Sequence, residues 1–339
     1  MKIKDIISCL EDFAPLSFQE SYDNSGLIAG NPDQELDSVL LSIDVTEDVV
    51  DEAISLKAGL IISHHPVLFS AIKRISGDNF VGRCLIKAIR NNIALSAMHT
   101  NVDAVRDGVN RKICDKIGLE QTRILLLRQE ELRKLVFFVP PDHAEVVKEK
   151  IFGAGAGIIG NYDQCSFNAP GEGTFRGSDE TKPFVGKKGE LHYEKELRVE
   201  TIYPKHRQSA ILSALIEAHP YEEVAYDIYP VENAYTGAGN GMIGHLPGPV
   251  DEIEFLTHIK QKFSTGIIRH SRLLNRPIST VAVCGGSGSN LLKEAIRQKA
   301  DLFITGDFKY HQFFDADGKI VITDIGHYES EQFTTEIFR

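Results

Sequence analysis

The sequence predicts an α/β protein: a core with a mostly parallel sheet made from two halves of the chain, and an inserted ferredoxin-like α+β domain between them. Three observations predict this. Short apolar runs alternate with helix-period segments over the first half, from Met1 to about residue 126. The same alternation resumes at Tyr235 and runs to Arg339. Between residues 127 and 234 it is replaced by a different order of elements.

Taken in order, Ile6 to Phe13 has helical spacing and Val39–Ile43 reads as a buried strand. Thr46 is placed to cap a following helix whose apolar side is Val49, Val50 and Ile54. Leu60-Ile61-Ile62 is the next strand, a helix is expected over Val81–Asn91, and Ile93–Ala97 is another apolar strand. Strands separated by helices of this length indicate βαβ units. In the insert, Leu135–Val139 is strand-like, Ala144–Phe152 helical, Tyr162–Phe167 a strand, and the stretch to Gly189 a polar, Gly-rich loop. Glu194–Tyr203 alternates, His206–Ala218 is helical and Ala225–Tyr229 closes the set. The resulting order, β-α-β-β-α-β, is the ferredoxin-like one. In the second half, Val281–Cys284, Leu302–Thr305 and Ile320–Thr323 are strands, with a helix from Asn290.

The 339 residues allow roughly two domains with a substantial core. A hydrophobic content of 42% and a charged content of 25% are ordinary for a globular protein. The formal net charge of −11, with no block of Lys and Arg, argues against a nucleic-acid-tracking surface. The five cysteines (Cys9, Cys84, Cys114, Cys165, Cys284) are scattered and form no C-x-x-C pair, as expected for core thiols in a reducing compartment. The first residues lead into an amphipathic helix rather than a signal peptide, and no apolar run has the length of a membrane span. A cytoplasmic location is the expectation.

Chemistry concentrates in three short runs. Ser63-His64-His65-Pro66 follows an apolar strand. Adjacent strand residues point to opposite faces, so both imidazoles share a site only where the chain leaves the strand, and Pro66 restrains that exit. His99-Thr100-Asn101-Val102-Asp103 follows the next strand, which puts Asp103 at the same edge if the sheet is parallel. His99 is either a group that orients a ligand or a core histidine. In Gly326-His327-Tyr328-Glu329-Ser330-Glu331, His327 and Glu331 lie four residues apart on one face of a helical turn. Together His64, His65, Asp103, His327 and Glu331 form a set of imidazoles and carboxylates suited to Zn, Mn, Fe or Ni, and rich enough for two divalent ions. A carboxylate can bridge such a pair.

Other runs are less specific. Gly155–Gly160 and Gly239–Gly244 both match G-x-G-x-x-G, but one follows a helix and the other a loop, so the dinucleotide reading fails its context test. Gly285-Gly286-Ser287-Gly288 lies between a strand and a helix, and is either an anion-holding loop or a tight turn. Asp307 and His311, i and i+4 after Thr305-Gly306, are candidates to line the same cleft. No Ser or Cys has the local signature of an activated nucleophile.

The ordered set of runs resembles the NGG-interacting factor 3 family, whose bacterial members are often called GTP cyclohydrolase 1 type 2 homologues. The resemblance rests on Tyr22–Leu27, Ser42–Thr46, Ser63–Pro66 with Phe69, His99–Asp103, Thr305–Asp307 with His311, and Gly326 through Glu331. It implies two metals per subunit, held by His64, His65, Asp103, His327 and Glu331, and a toroidal homohexamer built from trimers. The insert is similar to the CutA/PII-like ferredoxin fold, a likeness carried by His219-Pro220-Tyr221-Glu222. Three positions depart from the pattern: Tyr22 replaces a usual Trp, Met242 replaces a usual Arg, and Arg339 follows Glu331 closely where relatives continue through a helix and a strand. The expected function is a dinuclear metal-dependent hydrolase acting on a nucleotide or phosphoester, with His99 or His311 moving protons. The alternative is a non-enzymatic metal-binding scaffold or metal-delivery protein whose insert binds a partner.

Overall fold

In the computed structural model, which describes residues 1–339, side chains cap several of the helix starts. The first helix, α1, spans Ile3–Phe13. Strands β1 (Gly26–Ala29) and β2 (Val39–Ser42) follow it. Thr46 Oγ1 accepts from the Val49 N–H and starts α2 (Glu47–Ser55), as its sequence predicts. After β3 (Leu60–Ser63), Asn79 caps α3 (Phe80–Arg90) by accepting from Gly82 N–H. Then come β4 (Ala94–Ala97), the short α4 (Thr100–Ala104), α5 (Val109–Ile117) and β5 (Glu120–Arg128).

The next stretch carries β6 (Leu132–Val139), α6 (Ala144–Gly153), β7 (Phe167–Phe175), β8 (His192–Pro204), α7 (Gln208–Ala218) and β9 (Tyr226–Val231). The last stretch carries β10 (Tyr235–Val250), α8 (Glu252–Lys262), β11 (Arg269–His270) and β12 (Ile278–Ser287). It ends with α9 (Leu292–Arg297), β13 (Leu302–Gly306), β14 (Val321–Asp324) and α10 (His327–Glu331). By contacts the chain divides into two compact units, Met1–Leu127 with Thr236–Arg339, and Arg128–Tyr235. No helix is long and apolar enough to cross a membrane.

The first unit holds two sheets rather than one. One has the order β1-β4-β3-β2 and the other β11-β14-β13-β12-β10-β5. Each contains three adjacent parallel strands, β2-β3-β4 and β12-β13-β14; β3, β4, β13 and β14 are buried as apolar runs should be when both faces are covered, whereas the edge strand β2 is half-buried. Antiparallel neighbours flank them: β1 on β4, β10 on β12 and β11 on β14. The sequence reads these flanking segments poorly because their glycines and polar residues mask the strand pattern. Gly239, inside β10, shows why glycine is needed: a Cβ there would lie 2.2 Å from the Leu126 carbonyl oxygen. The Gly239–Gly244 fingerprint is therefore strand interior, not a phosphate loop.

Each sheet has its own core. Val50, Ile61, Leu85, Ala88 and Leu95 pack in one cluster, and Leu125, Ile243, Leu292, Phe303, Phe308 and Ile322 in another. Phe303 has no exposed surface, and its ring meets Phe308 at 6.4 Å. Phe303→Ala is expected to cost about 3–5 kcal/mol, read as a lowered urea midpoint at unchanged slope.

In the Arg128–Tyr235 unit the sheet order is β7-β8-β6-β9, antiparallel throughout. Leu135, Phe137, Val147, Ile151, Val199, Tyr203, Ile211 and Leu215 form a core between the sheet and its two helices. The expected strand over Tyr162–Phe167 is displaced to Phe167–Phe175, within the stretch read as a Gly-rich loop. As an edge strand, β7 pairs only with β8, so it tolerates Pro170 and two glycines that a central strand would not.

Candidate metal centre

The carboxyl ends of the two parallel trios converge on one cluster. In register, Ser42 pairs Ser63 and Ser63 pairs Ala97, so Asp44, His64-His65 and His99 leave the first sheet at one level. Thr305 pairs Asp324 in the second sheet, which brings out Asp307 and His327 beside the Gly285–Ser287 end of β12. His64 and His65 lie just past β3, where the chain still bonds to Ser42 and Ile43 carbonyls before Pro66. That exit lets both rings turn into the same space, 4.8 Å apart.

Glu331 sits at the centre, 2% exposed, and its two oxygens serve different partners. Oε1 is 3.6 Å from His64 Nε2, which is 3.7 Å from Asp103 Oδ1. Oε2 is 3.0 Å from His65 Nε2 and 3.1 Å from His327 Nε2. Those two ring nitrogens are 3.3 Å apart. Two overlapping donor sets result: His64, Asp103 and Glu331, and His65, His327 and Glu331, with His99 closing a third group on His64 and His65.

Every ring is held from behind. His64 Nδ1 donates to the Met98 carbonyl at 2.9 Å, an oxygen that can only accept. His65 Nδ1 is 2.9 Å from Asp44, His327 Nδ1 2.6 Å from Asp307, and His99 Nδ1 2.7 Å from Asp23. With the protons on Nδ1, the neutral rings present Nε2 lone pairs to the cluster. This is the test of fit to a cation. His64 Nε2, Asp103 Oδ1 and Glu331 Oε2 are buried without a hydrogen bond, which is costly unless a positive charge lies between them. Bonds of about 2.0–2.1 Å at a tetrahedral angle hold donor atoms about 3.3 Å apart, matching the 3.0–3.3 Å spacing of the His65, His327 and Glu331 set. The His64, Asp103 and Glu331 set is wider and suits larger bond angles.

Without a cation the cluster holds protons instead. Burial disfavours a charged His65, but Asp44 and Glu331 outweigh it and raise the ring to about 10. Glu331, with burial opposing, raises His327 to about 9, helped by Asp307. Burial also opposes protonation of His64, yet Asp103 and Glu331 leave it raised. The carboxyl of Asp103, whose Oδ1 is buried, is pushed up to about 6 by that burial, with the His64 charge opposing. Glu331 is desolvated, but the three histidines hold it well below the usual carboxylate range.

Gly285-Gly286-Ser287-Gly288, expected as a turn or an anion loop, is the irregular end of β12, and the N–H groups of its three glycines are already used. Gly285 donates to Asn110, Gly286 to the Ser330 hydroxyl and Gly288 to Thr305. Gly286 has φ +59°, and a Cβ on it would lie 2.3 Å from Glu331 Oε1. His311 stays outside the cluster, exposed against Tyr310 and Phe314. The expected i, i+4 face with Asp307 does not form because Asp307 has φ +61°, which breaks the helical turn. Asp44 and Asp23 have no local signature of an anchor; they lie at or near a strand end, within the runs Ser42–Thr46 and Tyr22–Leu27 that carry the family resemblance. A cavity of about 620 Å³ opens beside the cluster, lined by His65, His99, Asp103, His327 and Glu331 among others. A second, of about 610 Å³, lies within the Arg128–Tyr235 unit and contains none of the site residues.

Fold and cluster thus define a mixed α/β protein with grouped His, Asp and Glu side chains able to hold metal ions. The whole chain, residues 1–339, matches the family described as Duf34/NIF3 (NGG1p interacting factor 3), and the protein belongs to that family. It is 40% identical over 325 residues to a Halalkalibacterium halodurans protein named GTP cyclohydrolase 1 type 2 homolog, covering 95% of this chain and 87% of the relative. A Bacillus subtilis protein of the same name is 38% identical over 327 residues, covering 96% and 88%. Among solved structures, a Bacillus cereus protein related to NIF3 superposes with a TM-score of 0.88 at 38% identity, covering 99% of this chain and 92% of that one. A Staphylococcus aureus protein gives 0.75 at 30% identity, covering 97% and 88%.

Proposed function

We propose that the protein is a dinuclear metal-dependent hydrolase of nucleotide or phosphoester substrates. The observation that carries this is the division of Glu331 between two donor sets, one oxygen toward His64 and Asp103 and the other toward His65 and His327. Held by His64, Asp103, His65, His327 and Glu331, a pair of divalent ions (Zn, Mn, Fe or Ni) would supply Lewis-acid polarisation of the scissile group and an activated water. The chain's own residues do the rest. Glu331 fixes the spacing of the two sets. Asp44, Asp307 and the Met98 carbonyl lock the tautomers of His65, His327 and His64, so that each Nε2 stays free of a proton. His99, oriented by Asp23 and lining the cavity, is placed to move a proton at its Nε2.

The β-α-β-β-α-β order and the β7-β8-β6-β9 sheet support reading the inserted unit as ferredoxin-like. Family membership supports a homohexameric assembly, and five unpaired cysteines fit a cytoplasmic setting. Protein loaded with Mn, Zn or Fe is expected to hydrolyse at least one member of a nucleotide and phosphoester panel. His64→Ala should abolish turnover and lower the metal content, whereas His311→Ala should change neither. Metal uptake with no turnover across the panel would replace this reading with a metal-binding scaffold.

A further inference from the structure

The cavity beside the cluster has an unusual charge balance. Its volume, about 620 Å³, lies within the range of small-molecule sites. Of its lining residues, Glu20, Asp103 and Glu331 are acidic, and none is Lys or Arg. Asp23, Asp44 and Asp307 stand directly behind the rings. Six carboxylates therefore outnumber the four positive charges that two divalent ions would bring. Met242, nearby in β10, is an uncharged buried side chain and adds no cation.

The uncharged part of the lining has its own character. Tyr22 and Phe69 are both exposed, with ring centroids 6.1 Å apart and planes tilted by 46°. Phe69 also meets the His99 ring at 6.1 Å. Exposed aromatic faces beside a polar cluster are seats for planar rings, because stacking gains area without requiring a counter-charge. Asn240, Ser287 and Asn290 line the same space with amide and hydroxyl groups that can read the edge of a heterocycle.

We propose that this cavity takes an uncharged planar ring seated against Tyr22 and Phe69, and that it excludes a polyphosphate chain. The inference rests on the metal-centre reading and narrows its substrates: one reacting group lies over Glu331, and the remainder is a ring rather than a triphosphate. A triphosphate brings several negative charges into a space with no side-chain cation to meet them.

The test is calorimetric titration of zinc-loaded protein, its metal content measured before and after, with guanosine, adenosine and GTP at low and raised salt. At least one nucleoside is expected to bind about tenfold or more tightly than GTP at low salt, with the gap narrowing as salt screens the repulsion. Tyr22→Ala and Phe69→Ala should each weaken nucleoside binding about tenfold at unchanged metal content. Asn290→Lys should tighten GTP relative to the nucleoside. GTP binding as tightly as or more tightly than both nucleosides overturns the proposal, as does failure of both nucleosides to bind. If no metal is found, the hydrolase reading fails separately. The titrations still decide the ring seat, because Tyr22, Phe69 and the missing cations do not depend on the ions.

Discussion

Glu331→Gln is expected to strip the centre of bound metal while leaving the fold in place. The side chain is 2% exposed, and glutamine fills the same volume, so no cavity opens. What changes is charge and polarity. One oxygen of each donor set is Glu331's, and the amide can offer only one oxygen. Its N–H group would stand where one ligand oxygen stood, leaving either His64 and Asp103 or the His65 and His327 pair without a carboxylate donor. Removing an anchoring group behind a ligand typically costs about 10–100-fold in metal affinity, so losing the shared ligand should cost more than about 100-fold. Elemental analysis after dialysis reads this directly; a Gln variant retaining the full metal complement would show that Glu331 is not shared. Asp44→Asn, which alters only the anchor behind His65, should fall in the milder range.

The metal-free and metal-loaded proteins should respond to pH in opposite directions. In the absence of metal, His65 titrates at about 10 and His327 at about 9, against about 6.5 in the unfolded chain. A raised folded value contributes stability that is fully present below pH about 6.5 and is lost as pH rises through the folded values. Asp103, pushed up to about 6, acts in the same sense at lower pH, because the folded state keeps a proton the unfolded chain has shed. Glu331 is shared by both rings and the His327 side chain is 38% exposed, so the contributions do not add fully. A loss on the order of 2 kcal/mol is expected between pH about 6.5 and about 8.5. In the loaded protein the cation replaces those protons, and its affinity rises with pH as competition by protons fades. Urea melts of chelated and zinc-loaded protein across that range should therefore diverge. Parallel curves would mean that protons and metal do not compete for the same nitrogens.

Much of the fold was legible where local chemistry is self-sufficient. Thr46 capping α2, the apolar runs of β3 and β4, and the helices over Phe80–Arg90 and Ala144–Gly153 all depend on side chains within a few residues of one another. The flanking strands were not legible. β7 with Pro170, and β10 with its run of glycines, owe their extended form to a neighbour across the sheet rather than to their own propensity. The same blind spot made one mostly parallel sheet the natural expectation, where the protein builds two. It also made His311 and Asp307 look like one helical face, because a positive φ at a single aspartate leaves no trace in spacing.

The order of residues along the chain sets which donor types exist and how each is presented locally: a histidine pair released from a strand by Pro66, and His327 and Glu331 one helical turn apart. Those are short-range facts, set by backbone geometry within four or five residues. It takes long-range packing to bring His65 and His327, 262 residues apart, face to face at 3.3 Å, to divide the oxygens of Glu331, and to place Asp23 and Asp44 behind the rings. Such contacts require the two sheets to be packed first, since no local bond or propensity favours them until the surrounding core has excluded water and fixed both strand ends.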